Sequence, residues 1–456
     1  MTLGLKVGIE IHQQLNSFKL FCNCPSELQD KNPDIILKRR LYAVAGESGK
    51  IDAAAAYEQS RKKEFIYQGY SDKNCEIEFD DAPPRELNKE ALDIAIKIAL
   101  LLNAEIIPYT QVMRKTVVDG SNTSGFQRTV LIARNGYVEI RNKKIKIESI
   151  CLEEDSARKI SENKNSATFR LDRLGIPLIE IATSPDISSG EEAKEVALKI
   201  GEILRASKVK RGLGTIRQDV NISVKNGSRT EIKGVQEPSL IPKVINNEIK
   251  RQQEIINKNE KVEKTVRQAL EDGNSKFLRP MPGASRMYPE TDLPLIKISK
   301  FIIDAAKKNL PKLPSELKEE LKKKGLSPEM IKLLLAEKKL EDFKAILPLS
   351  QHNPDLIVKL LILYPKEIAS KEKLNKKFLE EKISLDIIEE IIEAVKSKKI
   401  SESDIKEVMI KIIKGMPVPE ALKIEKINLK KAEEEIKLII KIKRKRIKKQ
   451  SDLFTY

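Results

Sequence analysis

The stretch Lys6-Val-Gly-Ile-Glu-Ile-His-Gln-Gln-Leu15 decides the fold of the first part of this chain. Apolar side chains alternate here with Glu10 and His12, and this period of two predicts a strand with one buried face. A carboxylate and an imidazole two residues apart project side by side, where they can ligate a divalent metal or hold a phosphate-bearing substrate. Taken alone, an ordinary strand with a solvated polar face explains the pattern more simply. The apolar positions are Val7, Ile9 and Ile11.

The chain has 456 residues, which is too long for one compact core and predicts about two to four domains. Its net charge of +17 favours a polyanionic partner, most plausibly nucleic acid, although a lysine-rich proteome is an alternative explanation. Aromatic residues make up only 4% of the chain and tryptophan is absent. Because binding of single strands uses aromatic stacking platforms, folded RNA fits the composition better.

The four cysteines do not form a disulfide framework at this length. Only Cys22 and Cys24 are close in sequence, and a zinc site typically needs a second pair or nearby histidines. We expect free thiols in a reducing cytosol, and the spacing leaves open whether Cys22 and Cys24 bind zinc. Lys6 already lies in a strand pattern and no apolar run reaches about 18 residues, so we expect a cytoplasmic protein without a signal peptide or membrane span.

The pattern changes near residue 295. Before it, short apolar alternations and amphipathic helices predict an α+β domain on a mostly antiparallel sheet. The predicted helices are Asn88–Leu102, Gly190–Ser207 and Pro242–Asp272. After it the pattern is almost wholly helical, and helices over Ser384–Lys398 and from Ser401 to Gly415 should pack antiparallel in a small bundle. The run at 441–449 is strongly basic, which fits either phosphate binding or a solvated helix end.

Carboxylates occur at costly positions in the first domain. Glu180 lies in the middle of the apolar run 175–183, where an acid needs an ion-pair partner or a metal. A salt bridge to Arg170 or Arg173 is the structural alternative. One acidic surface able to hold Mg²⁺ could form if the stretch 6–15 with Glu10 and His12 lies beside three other strands. These strands carry Glu180, the acidic run 153–155, and the face with Arg217 and Asp219.

Two loops are rich in hydrogen-bonding and charged groups. The segment 119–129 is dense in small polar residues and includes Ser121 and Arg128; such loops present backbone N–H groups to phosphates. The segment 279–292 combines prolines with two acidic residues and with two arginines, Arg279 and Arg286. Gly212 and Gly214 do not form a dinucleotide fingerprint, because no further glycine follows at the required offset.

Eight segments, in this order, resemble the GatB/GatE family, the tRNA-binding, kinase-bearing subunits of tRNA-dependent amidotransferases. They are KVGIEIHQQL…KLFCNCPSEL, FDDAPPRELN, MRKTVVDGSNTSGFQRT, ICLEEDSARK, LDRLGIPLIEIATSPD, GTIRQDVNISV, RTEIKGVQ and RPMPGASRMYPETD. The loop DGSNTSGFQRT and the segment RMYPETD are similar to the archaeal E form. The resemblance is specific over residues 4–295. The synthetase-like domain that the E form carries before RPMPGA has no room here, which predicts a shortened form.

The resemblance implies a fold and a reaction. Residues 1–295 would form a glutamine-synthetase-like cradle, 296–375 a helical connector, and 376–456 a truncated YqeY-like tRNA-binding tail. The implied enzyme is a carbon–nitrogen ligase that uses ATP and Mg²⁺. It would phosphorylate the Glu side chain of Glu-tRNA(Gln) and amidate it with ammonia from an asparaginase-like glutaminase partner of the D type, in a heterodimer or a dimer of heterodimers.

By the same resemblance, His12, Glu153 and Glu180 match the family's catalytic positions, with Glu10 as a further metal ligand. We expect Arg128, Arg217, Arg286 and Ser121 to contact the nucleotide or a carboxylate. Three alternatives stay open: a B-type amidotransferase that also acts on Asp-tRNA(Asn), a ligase acting on a small free amino acid, and a non-catalytic RNA-binding relative.

Overall fold

A computed structural model describes residues 4–46, 49–212, 214–283, 286–350, 353–375, 378–379 and 382–423. The chain divides into two compact units, the first ending at Pro314 and the second beginning at Ser315. The basic run at 441–449 and residues 424–456 of the predicted tail lie outside the described residues.

The first unit contains the strands. They are β1 (Lys6–Gln14), β2 (Ile35–Arg39), β3 (Glu64–Gly69), β4 (Glu105–Ile106), β5 (Tyr109–Thr110), β6 (Val112–Thr116), β7 (Phe126–Ile140), β8 (Lys143–Glu154), β9 (Arg158–Glu162), β10 (Ser166–Arg170), β11 (Pro177–Thr183), β12 (Ile216–Ser223), β13 (Thr230–Lys233), β14 (Thr265–Ala269), β15 (Ser275–Pro280), β16 (Met287–Pro289) and β17 (Ile296–Lys297).

One large sheet organises this unit. Its strand order is β15-β14-β13-β12-β1-β11-β8-β7-β6-β16, with β4 paired to β7 outside this path. All of these pairings are antiparallel except β13 with β14. The predicted first strand is confirmed as β1, and its apolar residues are fully buried. It lies near the middle of the sheet, so its polar face meets polar residues of both neighbours.

Most of the helices of this unit cover one face of the large sheet. The helices of this unit are α1 (Ala53–Ser60), α2 (Lys89–Leu101), α3 (Gly190–Ala206), α4 (Ile241–Asn257) and α5 (Lys300–Lys308). Asn88 and Ser189 cap α2 and α3 by accepting hydrogen bonds from backbone N–H groups of the first turn. The apolar faces of α2, α3 and α4 join the buried strand residues in one core. The opposite face of the sheet is thereby left for polar residues.

The third predicted helix is much shorter than expected. α4 ends at Asn257 rather than near Asp272, and residues 265–269 and 275–280 form the hairpin β14–β15. Asn259 adopts a positive φ of 57° just after the helix, a conformation that ends it. Val262 and Val266 are then buried in the interior of this unit, a tertiary contact that outweighs the local helical composition.

A second, smaller sheet has the strand order β2-β3-β10-β9. Phe65, Tyr67 and Phe169 form its aromatic core. Gly120 lies directly against this core with a φ of +91°. The 119–125 loop is therefore anchored by a glycine where no side chain fits.

The second unit is helical in its described residues. Its helices are α6 (Pro314–Lys323), α7 (Pro328–Ala336), α8 (Leu340–Ile346), α9 (Pro354–Val358), α10 (Tyr364–Glu372), α11 (Leu385–Lys396), α12 (Ile405–Ile413) and α13 (Val418–Ala421), with a π-helical turn at Lys359–Leu363. Ser384 caps α11, and the apolar stripes predicted for α11 and α12 are buried in the core of this unit. No helix of the described residues is long and apolar enough to cross a membrane.

The α+β class and the mostly antiparallel sheet are confirmed. The boundary between the units lies after Pro314, later than the predicted residue 295. Two elements account for this difference. β17 pairs with β5, and Ala306 of α5 is buried in the core of the first unit. The predicted division of the helical part into connector and tail stays a prediction.

The 119–125 loop offers a matched test of this packing. A Cβ on Gly120 would lie 2.2 Å from Phe65 Cδ1, whereas one on Gly125, which also has a positive φ, has no neighbour closer than 3.9 Å. Both alanine variants should suffer backbone strain of about 1–2 kcal/mol. Only Gly120→Ala should add an overpacking cost of about 1–3 kcal/mol. Denaturant unfolding of the full chain measures both, and equal losses would contradict the packing described.

Candidate active site

A cavity of about 1030 Å³ lies on the polar face of the large sheet. Seven neighbouring strands, from β13 across β1 to β6, contribute side chains to it. Their charged members are Lys115, Glu153, Glu180, Glu10, His12, Arg217, Asp219, Glu231 and Lys233. Strands on which alternate residues share a face thus bring together groups from positions 10 to 233.

His12 lies at the centre of the acidic cluster. Its Nε2 is 3.3 Å from Glu180 Oε2 and 3.5 Å from Glu10 Oε1. The sheet register produces these contacts, because His12 is directly opposite Glu180 on β11, and Glu10 is directly opposite Asp219 on β12. The structural alternative, a salt bridge of Glu180 to Arg170 or Arg173, is not what the structure shows. Glu180 instead pairs with His12 and, at 3.6 Å, with the Lys115 ammonium.

The ligand atoms of this cluster have the spacing of a metal site. One atom each from His12, Glu153 and Glu180 lie within 4.8 Å of one another, as do atoms from Glu10, His12 and Asp219. Carboxylate oxygens are the ligands that Mg²⁺ prefers, and an imidazole is compatible with it or with Mn²⁺. The residue types predicted as ligands therefore fit a divalent cation in either group: His12 with Glu153 and Glu180, or His12 with Glu10 and Asp219.

Two lysines balance the acids. Lys115 Nζ donates a 2.5 Å hydrogen bond to Glu153 Oε1, and Lys233 Nζ lies 2.9 Å from Asp219 and 2.7 Å from Glu231. Burial disfavours the charged ammonium, but the surrounding carboxylates raise the pKa of both lysines above the ordinary value. Both lysines are therefore cationic at neutral pH.

The pKa values of His12, Glu10 and Glu180 are shifted from their ordinary values by burial and by one another's charges. Burial opposes the charged imidazole, yet the hydrogen bond and charge of Glu180 raise the pKa of His12 to about 9. Burial and the neighbouring Glu180 carboxylate raise the pKa of Glu10 to about 7. Burial also acts to raise the pKa of Glu180, but Lys115 and His12 hold it below its ordinary value. Without a metal, the proton on His12 thus supplies the positive charge at the centre.

The four residues predicted to contact the nucleotide separate into two groups. Arg217 and Arg286 line the cavity. Arg217 donates to the fully buried Asp155 at 2.8 Å, and although burial favours the neutral acid, the charges of Arg217 and Arg173 lower the pKa of Asp155. No ion pair to Arg286 occurs within the described ranges.

Arg128 and Ser121 do not face this cavity, which corrects the prediction for both. Arg128 is buried, with Nε 2.8 Å from Glu290 and Nη1 3.3 Å from Glu154. Its positive charge is therefore neutralised by carboxylates inside the protein. The Ser121 hydroxyl donates to Asp119 Oδ1 at 2.6 Å in a local turn. Asp119 and Asn122 are the members of the 119–125 loop that line the cavity.

Several site residues were not predicted as ligands or contacts. Asp219 was predicted on the acidic face able to hold Mg²⁺ but not as an individual ligand, and the register shows that it lies opposite Glu10. The same alternation of cavity-facing and core-facing residues places three further charged residues in the cavity. They are Lys115 on β6 and Glu231 and Lys233 on β13. The sequence signal was the alternation itself, which becomes decisive only once the strand order is known.

Comparison with known proteins agrees with this geometry. A profile of the GatB/GatE catalytic domain matches residues 5–304, which include every strand and helix that forms the cavity. The chain belongs to the GatB/GatE family. The match ends within α5, close to the end of the first unit.

Among GatB/GatE proteins, the chain is similar to several archaeal proteins of the E form. It is 36% identical to the E-type chain of glutamyl-tRNA(Gln) amidotransferase from Methanocaldococcus jannaschii, over 91% of this chain and 86% of that relative. It is 36% identical to the relative from Methanothermobacter thermautotrophicus, over 75% of this chain and 77% of that relative. It is 34% identical to the relative from Sulfolobus acidocaldarius, over 90% of this chain and 86% of that relative. The predicted resemblance to the E form is confirmed.

The same comparison bears on the predicted shortening. The alignment with the M. jannaschii relative runs over 553 positions, whereas this chain has 456 residues, so residues of the relative stand opposite gaps. This is the pattern expected of a GatE form that lacks an inserted domain.

The buried, ion-paired Arg128 and the cavity-lining Arg286 should respond differently to substitution. Arg128→Met keeps the bulk but leaves the buried Glu154 carboxylate without its cation, which should lower the free energy of unfolding by about 3–5 kcal/mol. The matched variant Arg286→Met removes a cation without an ion-pair partner among the described residues, and should stay within about 0.5 kcal/mol of the parent. Denaturant unfolding of both variants checks this, and a stable Arg128→Met protein would contradict the structural role.

Proposed function

We propose that this chain is the kinase and transamidase component of a glutamyl-tRNA(Gln) amidotransferase, a carbon–nitrogen ligase. ATP transfers its γ-phosphoryl group to the side-chain carboxylate of Glu on mischarged tRNA(Gln), and ADP leaves. Ammonia then attacks the γ-carbonyl carbon and displaces phosphate, which gives Gln-tRNA(Gln). The name of the relatives supports the substrate, and the cavity supports the chemistry.

One observation carries the proposal. Glu10, His12, Glu153 and Glu180, from separate parts of the sequence, belong to two adjacent ligand groups that share His12, in a large cavity whose walls also carry lysine and arginine. A carboxylate is a poor acyl donor because its leaving group would be oxide, and phosphorylation supplies a good one. Phosphoryl transfer is catalysed mainly by positioning and by compensation of charge on the phosphate oxygens. An acidic cluster beside fixed cations meets both needs.

The residues divide the work by position. Glu10, His12, Glu153 and Glu180, with Asp219, would hold Mg²⁺, which supplies positive charge to the phosphate oxygens when bound. Lys115 holds Glu153 and Glu180 in place and presents its ammonium to the same space. Arg217 and Arg286 face the cavity, where their guanidinium groups can clamp phosphate or carboxylate oxygens. None of these residues needs to act as a covalent nucleophile.

The second step needs ammonia from elsewhere. The sequence carries no glutaminase signature, so the proposal includes an asparaginase-like partner of the D type as the ammonia source, in a heterodimer or a dimer of heterodimers. In the same proposal the first unit is a glutamine-synthetase-like cradle and the helical part a connector with a YqeY-like bundle that contacts tRNA. The reaction would take place in the cytoplasm, where aminoacyl-tRNA is used.

A single reconstitution tests this function. The full chain, a D-type partner, glutamine, ATP, Mg²⁺ and Glu-tRNA(Gln) should yield Gln-tRNA(Gln). Glu180→Gln and His12→Ala should lower the rate on the order of 100-fold or more, because each removes a charge-bearing group at the reacting phosphate, while tRNA binding changes little. The control Glu148→Gln alters an exposed carboxylate on β8, the strand that carries Glu153, and should retain full rate.

The same assay separates the alternatives. Asp-tRNA(Asn) in place of Glu-tRNA(Gln) should give no amidation, and free glutamate should not stimulate ATP hydrolysis. Amidation of Asp-tRNA(Asn) would indicate a B-type enzyme, and glutamate-stimulated hydrolysis a small-molecule ligase. Wild-type protein that binds tRNA but makes no product would indicate a non-catalytic relative.

Metal binding should depend steeply on pH. Ligation by His12 requires neutral imidazole, whereas the metal-free site holds that proton up to about pH 9. Mg²⁺ affinity should therefore fall about tenfold for each pH unit below 9, and more steeply below about pH 7, where Glu10 is protonated as well.

Calorimetric titration with Mg²⁺ in buffers of different ionisation enthalpy measures the released protons directly. His12→Gln should release about one proton fewer between pH 7 and 9, while Glu148→Gln should release as many as the parent. An affinity that does not change between pH 6 and 9 would argue against His12 as a ligand.

A further inference from the structure

Asp155 is a buried carboxylate of the cavity that is not among the proposed metal ligands. It directly follows β8, and its side chain is fully buried although it contributes to the cavity wall. Within the described residues, it belongs to neither of the two ligand groups that share His12. A buried carboxylate is costly unless it is paired, so its partners indicate what it does.

Hydrogen bonds hold Asp155 in a fixed position. Its Oδ1 accepts from Arg217 Nη2 at 2.8 Å and from the backbone N–H of Ser156 at 2.9 Å. Its Oδ2 accepts from the Gln14 side-chain amide at 2.6 Å. The backbone N–H of Asp155 donates to the Ile176 carbonyl oxygen at 2.8 Å. The carboxylate is therefore a rigid anchor whose two oxygens already serve as acceptors.

Arg217 lies between this anchor and the acidic cluster. It is directly opposite His12 in the register of β1 and β12, and side chains at such positions begin about 4.5–5.5 Å apart. Within the part of the chain that the structure describes, Asp155 is nevertheless the only carboxylate that forms an ion pair with its guanidinium. Burial disfavours the charged guanidinium, but Asp155 first, and then the charges of Asp219 and Glu153, raise the pKa of Arg217 above its ordinary value. Two proposed metal ligands therefore attract Arg217 without pairing with it.

We propose that Asp155 is a positioning residue that holds the Arg217 guanidinium away from the metal ligands and so keeps the cation site open. An unrestrained guanidinium opposite His12 would pair with the nearest carboxylates, because a partly desolvated arginine and a carboxylate attract each other strongly. Such a pair would occupy the oxygens that a divalent cation needs. The inference rests on the proposed function, since it requires the acidic cluster to bind Mg²⁺.

The single hydrogen bond to Asp155 also leaves most of the guanidinium available. An arginine has five N–H donors, and the side-chain contacts of Arg217 to the described residues use one of its nitrogens. The side chain is 27% exposed and lines the cavity. The other donors can bind phosphate oxygens beside the cation. The contact that keeps the ligands free therefore leaves Arg217 able to act on the nucleotide.

Asp172 provides a matched control for Asp155. It is also fully buried, its Oδ2 accepts from Arg158 Nη2 at 2.6 Å, and its Oδ1 accepts from the backbone N–H of Arg173 at 2.9 Å. Neither Asp172 nor Arg158 is among the described residues that line the cavity. Loss of the Asp172 charge should therefore lower folding stability much as loss of the Asp155 charge does, but it should not affect the cation site.

Calorimetric titration of the full chain with Mg²⁺ at one fixed pH tests the assignment. Asp155→Asn should weaken Mg²⁺ binding at least about tenfold when Arg217 is present, but less than about threefold in an Arg217→Met background, where no guanidinium remains to compete. Arg217→Met alone should bind Mg²⁺ within about threefold of the parent, and Asp172→Asn within about twofold. Circular dichroism identifies any variant that fails to fold.

Equal losses from Asp155→Asn in both backgrounds would overturn the proposal, because Asp155 would then act without Arg217. A gain of about tenfold or more in Arg217→Met would also overturn it, because the arginine would already compete with the cation in the parent. That variant keeps Asp155 and its bond from Gln14, so it decides the matter even if Asp155→Asn does not fold. A parent that binds no Mg²⁺ would refute the proposed metal centre as well, whereas a parent that binds Mg²⁺ and forms Gln-tRNA(Gln) confines a failure to Asp155.

Discussion

The antiparallel register of β1 between β11 and β12 is the constraint on which the site depends. It places His12 opposite Glu180 and Glu10 opposite Asp219. A slip of one residue would turn Glu10 and His12 into the apolar core and bring Ile9 and Ile11 to the cavity. The free energy gained from burying several apolar side chains would then be lost. Because the two faces of β1 differ so strongly in polarity, the register that builds the core is also the register that builds the cluster.

The end of β1 secures that register by hydrogen bonds. The Gln14 amide donates to Asp155 Oδ2 at 2.6 Å, and the Gln13 amide donates to the carbonyl oxygens of Lys210 and Thr215. Asp155 in turn accepts from Arg217 on β12. A buried amide without its partners is costly, so these bonds penalise any shifted pairing. The acidic cluster is thus held by polar contacts at one end of the strand and by apolar packing along its other face.

The sequence allowed much of the site to be predicted, and the limits are physical. Alternation identified the polar face of β1, and the cost of a lone acid in an apolar run marked Glu180. Alternation does not give strand order, so Asp219 could be placed on the acidic face but not opposite Glu10, and Lys233 could not be assigned to the cluster. Arg128 shows the opposite error: it follows a polar loop, which favoured phosphate binding, but the fold supplies it with Glu154 and Glu290. Similarly, helical composition extended α4 past Asn257, where β14 and β15 form instead.

The cationic residues that line the cavity differ in whether nearby carboxylates neutralise them. Lys115 and Lys233 are neutralised by acids that line the cavity, and Arg217 by Asp155, whereas Arg286 has no ion pair among the described residues. A phosphate gains most from a cation whose charge is not already compensated. In the proposed reaction, phosphate oxygens should therefore bind first near Arg286, and His12 would give up its proton where a divalent cation is bound. The protonated imidazole thus keeps the acidic cluster stable when no cation is bound, at the expense of weaker metal binding as the pH falls.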